Sequence, residues 1–245
     1  MPDDHNRPGD RSRPDDAARG RLRLLPPRPG AAAPTGHRPV VVDGEPVGSC
    51  YVPPDGAEWL VVLLHGAGGT AQDGLRLLLR QADRHGLMLY APSSVGPTWD
   101  VVRGGFGPDV RRIQQGLSGI RVPRNIAVGG FSDGASYALS LGLTNGDVFD
   151  AVLAFSPGFA APARQVGRPE IFVSHGRSDR VLPIERCSRR LVPALRQAGY
   201  PVHYHEFDGG HVVPEAAIDE ALDRLTVAAR STTSGSRTSA PGGRQ

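Results

Sequence analysis

The sequence Gly-Phe-Ser-Asp-Gly at residues 130–134 places a serine between two glycines. An apolar run at 126–128 precedes it, and a helix-like segment at 135–139 follows it. In that context Gly-x-Ser-x-Gly forms a strained turn that lifts the serine hydroxyl above the end of a sheet. The glycines avoid the clashes that a Cβ would cause there. Ser132 is therefore the candidate nucleophile; the alternative is that it only caps the following helix.

A serine hydroxyl becomes a nucleophile at neutral pH when a base removes its proton and an acid orients that base. His211 follows an alternating run at 202–207 and is the candidate base. Asp179 follows an apolar run at 171–173 and is the candidate acid. Asp208 is a rival, but it lies three residues before His211 and is expected to cap the turn there.

Four other histidines compete with His211 as the base. His65 and His175 each precede a glycine at a strand end, where we expect them to hydrogen-bond to backbone. His203 and His205 alternate along one strand and point to one face, so with His211 they could form a metal site. A strand face of amphipathic histidines is the simpler interpretation. We predict neither a metal nor a cofactor.

A Gly-rich loop at 65–69 follows the buried strand at 60–64, which is the usual place for an oxyanion hole. The predicted donors are the backbone N–H groups of Ala67 and Asp133, with Gly68 as the alternate to Ala67. The loop lacks the Lys-Ser/Thr ending of a phosphate-binding loop.

Trp99 and Phe106 lie in the loop after the strand predicted at 87–91. They either line a substrate pocket or pack as ordinary loop aromatics, and the sequence leaves both possibilities open.

Short apolar runs alternate with helical patterns along the chain. Strands are predicted at 40–42, 49–52, 59–64, 87–91, 125–129, 151–155, 171–174 and 202–207, and helices, besides the one after Ser132, at 72–85, 109–117, 185–198 and 214–229. This alternation predicts an α/β fold with a doubly wound, mostly parallel sheet. Every candidate catalytic residue follows a strand, and ligands bind such sheets at the carboxyl ends of strands. The short connections predict a site with no large cap domain.

The 245 residues suit one catalytic domain at 39–230. A Pro/Arg-rich extension at 1–38 and a tail at 231–245 are predicted to be disordered. No apolar run reaches the roughly 20 residues of a membrane span, and the N-terminus lacks a signal-like apolar segment, so we expect a cytoplasmic protein. The net charge of +3 comes from arginines near the ends, which argues against a nucleic-acid groove.

The motifs together resemble those of α/β-hydrolases of the phospholipase/carboxylesterase group, close to the dienelactone-hydrolase-like serine esterases. The resemblance runs from about residue 40 to 229 and includes the order Ser132, Asp179, His211. Dienelactone hydrolases proper use a cysteine nucleophile, and the serine here favours ester hydrolysis over that lactone chemistry.

The motifs and this resemblance imply a cofactor-free serine carboxylesterase that forms an acyl-enzyme on Ser132 and acts on a small-molecule ester. One alternative is acyl thioesterase or lysophospholipase activity. Another is a catalytically idle α/β-hydrolase scaffold used for binding, since a fold does not fix a function. The natural substrate and the oligomeric state are left open by the sequence.

Overall fold

The computed structural model describes residues 16–24 and 34–234, and its centre is one eight-stranded sheet. The strands are β1 Gly36–Val42, β2 Glu45–Val52, β3 Trp59–Leu64, β4 Leu87–Pro92, β5 Asn125–Phe131, β6 Ala151–Phe155, β7 Glu170–Gly176 and β8 Val202–Phe207. Their spatial order is β1-β2-β4-β3-β5-β6-β7-β8. Strand β2 pairs antiparallel with β1 and β4, and the other pairs are parallel. The predicted fold class is confirmed.

Helices cover both faces of the sheet. The α-helices within the described residues are α1 Ala71–Arg76, α2 Pro108–Ser118, α3 Asp133–Thr144, α4 Ser188–Gln197 and α5 Glu215–Ser234. Alternate residues of β3 enter two separate cores: Leu60 belongs to the core that contains residues of α2, α3 and α4, whereas Val61 belongs to the core that contains residues of α1 and α5. The central strands are therefore buried on both faces, and only their ends are free to carry chemistry. None of the described helices has the length and apolar character needed to cross a bilayer.

The helix predicted at 72–85 is shorter in the structure. It begins after Thr70, whose side chain forms a capping box with Asp73, and α1 ends at Arg76. Leu78 leaves the helical conformation, with φ −128° and ψ 2°, and a 3-10 turn follows. Leu75 and Leu78 are both fully buried on either side of this break.

Residues 16–24, which we call the N-terminal strap, pack against the domain. Leu22 is 3% exposed, and its N–H donates to Asn145 Oδ1 at 2.8 Å. Asn145 Nδ2 in turn donates to the carbonyl of Gly20 at 2.7 Å. The expectation of disorder is wrong for these nine residues. Although their composition is typical of a disordered segment, the buried Leu22 side chain and the buried Asn145 amide hold them against the domain.

The predicted ends of the catalytic domain are only partly described. Residues 1–15 and 25–33 of the predicted extension lie outside the described residues, as do residues 235–245 of the predicted tail. Helix α5 continues to Ser234, four residues past the predicted boundary at 230.

Candidate active site

The turn between β5 and α3 holds Ser132 at φ 59° and ψ −121°, a conformation that side chains rarely adopt. A Cβ on Gly130 would lie 2.5 Å from the backbone of Gly134, and a Cβ on Gly134 would lie 2.1 Å from the carbonyl oxygen of Leu64. The Ser132 N–H donates to the Phe155 carbonyl at 3.0 Å, which ties the turn to β6. The two glycines are thus required by close backbone approach, as the motif predicted.

Ser132, His211 and Asp179 form one hydrogen-bonded chain. His211 Nε2 lies 2.9 Å from Ser132 Oγ, and His211 Nδ1 lies 2.6 Å from Asp179 Oδ2. Since an ionised carboxylate only accepts hydrogen bonds, Nδ1 carries the imidazole proton and Nε2 offers its lone pair to the serine hydroxyl. This geometry suits removal of the Ser132 proton by His211.

The loop after β7 fixes the Asp179 carboxylate. Its Oδ1 accepts the N–H groups of Val181 at 2.9 Å and Leu182 at 2.8 Å. Burial by itself would raise the pKa of Asp179, but the hydrogen bonds from His211 and these two N–H groups outweigh burial and lower that pKa. Asp179 therefore stays ionised beside His211 at neutral pH.

Behind Asp179 lies a second imidazole, that of the fully buried His175. Its Nδ1 lies 2.6 Å from Ser188 Oγ, and its Nε2 lies 2.8 Å from the Leu182 carbonyl and 3.3 Å from Asp179 Oδ2. Burial lowers the pKa of His175, so the ring is neutral. It then accepts the Ser188 hydroxyl at Nδ1 and donates from Nε2. The expected backbone contact of His175 is confirmed.

Two of the three predicted oxyanion donors have free N–H groups. Among the described residues, neither the Ala67 nor the Asp133 N–H has a hydrogen-bond acceptor. The Gly68 N–H donates to the Pro97 carbonyl at 2.7 Å. Gly68 is therefore unsuitable as the alternate donor, because its N–H is already committed to the neighbouring loop.

The loop at 94–99 braces both sides of this site. Thr98 Oγ1 donates to Asp133 Oδ2 at 2.6 Å, at the first turn of α3. Trp99 Nε1 donates to the His65 carbonyl at 2.8 Å, at the start of the Gly-rich loop. Side-chain hydrogen bonds thus fix the two backbone segments that carry Ala67 and Asp133.

The structure gives Trp99 the packing role rather than the pocket-lining role that the sequence also allowed. Its side chain is fully buried, and its ring stacks on Tyr137 with centroids 5.1 Å apart. Phe106 lies 6.0 Å from the same tyrosine ring and packs over Gly20 of the strap. Both aromatics have the packing role that the sequence left open.

The rival residues have other partners. Asp208 is exposed and pairs with Arg177 at 2.6 Å. His203 and His205 both contact the carboxylate of Glu220 on α5. Across residues 16–24 and 34–234, no group of three or more His, Cys, Asp or Glu side chains could hold a metal ion.

Sequence reasoning missed the role of Ser188, which follows His175 by 13 residues and is joined to it only by the fold. It also missed three exposed valines that are close in sequence to residues of the site. Val95 lies in the loop at 94–99, Val181 lies two residues after Asp179, and Val212 directly follows His211; they are 52%, 66% and 52% exposed. Exposed apolar residues at these sequence positions could have indicated an apolar rim of the site.

Solved structures with the same fold include several esterases. The esterase PE8 is 25% identical, with a TM-score of 0.60 over 74% of this chain and 98% of that one. The chain has the α/β-hydrolase fold. Acyl-protein thioesterase 2 of Zea mays, at 19% identity, has a TM-score of 0.55 over 74% and 97% of the two chains. The carboxylesterase of Bacillus cereus, also at 19%, has a TM-score of 0.58 over 73% and 92%.

The phospholipase/carboxylesterase family model matches residues 111–227 of this α/β-hydrolase. That segment contains Ser132, Asp179 and His211. No curated protein matches the chain. The family match and the esterases among its structural neighbours indicate a hydrolase of the esterase type.

Proposed function

We propose that this α/β-hydrolase is a serine carboxylesterase that works through an acyl-enzyme on Ser132. The observation that carries the proposal is the chain from Ser132 Oγ through His211 to Asp179, with separations of 2.9 and 2.6 Å. It lies beside two N–H groups, of Ala67 and Asp133, that have no acceptor among the described residues.

Acylation follows from this arrangement. Ser132 Oγ attacks the ester carbonyl carbon while His211 Nε2 takes the hydroxyl proton. The negative charge that develops on the carbonyl oxygen is stabilised by the N–H groups of Ala67 and Asp133. When the C–O bond breaks, His211 returns the proton to the leaving alcohol. Asp179 stays ionised and stabilises the imidazolium.

Deacylation repeats the same steps with water. His211 Nε2 removes a proton from a water molecule that attacks the acyl carbon, and the proton then goes to Ser132 Oγ. The product is a carboxylic acid, and the enzyme regains its starting protonation state. No step draws on a cofactor.

The apolar rim of Val95, Val181 and Val212 favours esters of apolar acyl groups. Each exposed valine stands close in sequence to a residue of the site, so the acyl chain would lie against them. The same rim and the thioesterase among the structural neighbours favour a second candidate, hydrolysis of acyl thioesters. The third possibility, a catalytically idle scaffold, is disfavoured by the intact hydrogen-bonded chain.

The test is turnover of p-nitrophenyl esters of increasing acyl length, beside a matched acyl thioester series. Wild type is compared with Ser132→Ala and with Ser118→Ala, a serine at the end of α2. We expect kcat/KM to fall at least about 10³-fold in Ser132→Ala and to stay within twofold of wild type in Ser118→Ala. Unchanged turnover in Ser132→Ala would refute the mechanism. A higher kcat/KM for thioesters than for oxygen esters at every length would favour the second candidate.

Labelling with a fluorophosphonate distinguishes a catalytically idle scaffold from an enzyme whose substrate is not among the esters tested. Stoichiometric labelling of wild type, absent in Ser132→Ala, is expected. If neither protein is labelled, the hydroxyl is not activated, and the chain is a binding scaffold.

A further inference from the structure

We propose that a cleft beside the N-terminal strap binds a small phosphorylated molecule, at a site separate from Ser132. The cleft, here called the arginine cleft, encloses about 590 Å³. Its lining residues are Asp16, Arg19, Arg21, Leu22, Arg23, Ala163 and Arg164. A volume of this size lies within the range of small-molecule sites.

Contacts with the domain hold the backbone on both sides of the arginine cleft in place. On one side, buried Leu22 and the amide of Asn145 anchor the strap. On the other side, the Ala163 N–H donates to Thr144 Oγ1 at 3.2 Å. The arginine side chains therefore project from positions that the domain holds in place before a ligand arrives, which lowers the entropic cost of binding.

The arginine cleft carries more positive than negative charge. Arg21 is bidentate to Asp147 at 2.7 and 2.8 Å, and Arg23 pairs with Asp16. In the part of the chain that the structure describes, Arg19 and Arg164 form no hydrogen-bonded ion pair, and both are exposed. The charge of Arg164 helps to lower the pKa of Asp147, but from beyond salt-bridge distance. The N–H donors of both guanidinium groups therefore remain open to an anionic ligand.

The charge of the two unpaired arginines favours a phosphoryl group over a single carboxylate. Each guanidinium presents a planar fork of N–H donors that matches two phosphate oxygens. A phosphate monoester or a diphosphate carries about two negative charges or more near pH 7, which matches the two unpaired arginines. The partly enclosed cleft suits a small molecule better than a nucleic-acid backbone, which needs an open basic stripe.

The arginine cleft is remote from the catalytic chain. Ser132 precedes the first residue of α3, whereas Thr144, whose carbonyl accepts from Arg21 at 2.7 Å, is its last. Twelve residues of helix at 1.5 Å each separate the two ends by about 18 Å. A molecule in the arginine cleft would therefore not occupy the ester site.

The test is isothermal titration of the full chain with pyrophosphate, inorganic phosphate and glucose 6-phosphate, with sulfate and chloride at matched ionic strength as controls. The arginine-cleft variant is Arg19→Gln/Arg164→Gln, and the matched control is Arg80→Gln/Arg124→Gln, two exposed arginines elsewhere. We expect saturable binding of at least one phosphorylated probe, weakened at least tenfold in the cleft variant and less than twofold in the control. Tighter binding of glucose 6-phosphate than of phosphate would indicate an organic phosphate ester, and the reverse would indicate the free anion.

Four outcomes would overturn the proposal. The first is that no phosphorylated probe binds at a concentration on the order of 10 mM. The second is an equal loss of binding in the two double variants, and the third is binding of sulfate as tight as that of the phosphorylated probes. The fourth comes from a further titration with a single-stranded oligonucleotide: binding tighter than that of all three phosphorylated probes would favour a nucleic acid instead. Urea unfolding without ligand checks that the cleft variant folds as wild type does. Ester turnover is not part of the readout, so this test stands apart from that of the catalytic mechanism.

Discussion

Substitution of Gly134 by alanine tests whether close backbone approach sets the geometry of the proposed oxyanion hole. The new Cβ would lie 2.1 Å from the Leu64 carbonyl oxygen and 2.5 Å from that of His65. Real Cβ contacts essentially never fall below 3.0 Å. The end of β3 and the start of α3 must therefore separate by about 1 Å, because both neighbours are backbone atoms that cannot rotate away.

The size of the effect follows from what these two segments carry. Overpacking of this kind costs about 1–3 kcal/mol of unfolding free energy. The Ala67 N–H follows β3 and the Asp133 N–H begins α3, so the same shift moves the two proposed oxyanion donors apart. A misplacement of about 1 Å in a catalytic site costs on the order of 10²-fold in rate. We expect kcat for a p-nitrophenyl ester to fall about 100-fold in Gly134→Ala.

The assay pairs kcat per folded molecule with urea unfolding followed by circular dichroism. Gly66→Ala is the matched control for stability, since its Cβ would meet Phe131 and Ser132 at an ordinary 3.6 Å. Gly105→Ala is the control for activity, because nothing lies within 4 Å of its added Cβ. If Gly134→Ala keeps kcat within threefold of wild type, the oxyanion donors do not depend on this contact, and the reasoning is wrong.

Three further results are expected. Asp179→Asn should lower kcat by about 10²–10⁴-fold at pH 7, measured by ester turnover, because an amide can donate to His211 Nδ1 and impose the wrong tautomer. His175→Ala should lower kcat about tenfold, because Asp179 loses the buried N–H that His175 Nε2 directs toward its carboxylate. His175→Gln can still donate a hydrogen bond and should recover most of that kcat. Equal kcat values and pH profiles in the two variants would contradict a positioning role. Pairing with Arg189 lowers the pKa of Glu206 to about 2, so Glu206→Gln should lower the urea midpoint at pH 7. Since the pKa of Glu206 is lowered in the folded protein, its ionised carboxylate stabilises the fold fully above the ordinary pKa of 4.5 and progressively less toward pH 2. The difference in urea midpoint between wild type and Glu206→Gln should therefore be smaller at pH 3 than at pH 7.

The sequence predicted those parts of the molecule that depend on local pattern. A continuous apolar run predicts the buried strand β3. The two glycines that flank Ser132 identify it as the candidate nucleophile, and close approach of the neighbouring backbone requires them. Asp179 and His211 could be chosen because each follows a predicted strand of one sheet. These residues come together because the carboxyl ends of parallel strands lie at the same edge of the sheet.

Other features depend on contacts between residues far apart in the chain. Nothing near Leu22 indicates that it will be buried, since its partner Asn145 is 123 residues away. Trp99 in a polar loop gives no sign that its indole will reach the His65 carbonyl. The hydrogen bond from the Gly68 N–H to the Pro97 carbonyl likewise depends on the path of the loop that contains Pro97. In each case tertiary contacts decide the role of a residue whose local sequence is uninformative.

The hydrogen bonds from Thr98 and Trp99 to the loops of the proposed active site have a kinetic consequence. Enzymes whose lids must close often have rates that follow loop motion, and such rates fall as solvent viscosity rises. Here hydrogen bonds of 2.6 and 2.8 Å already hold the start of α3 and the Gly-rich loop. Turnover of a slow ester by this α/β-hydrolase should therefore proceed at the same rate in sucrose and in plain buffer, with the barrier set by bond making and breaking.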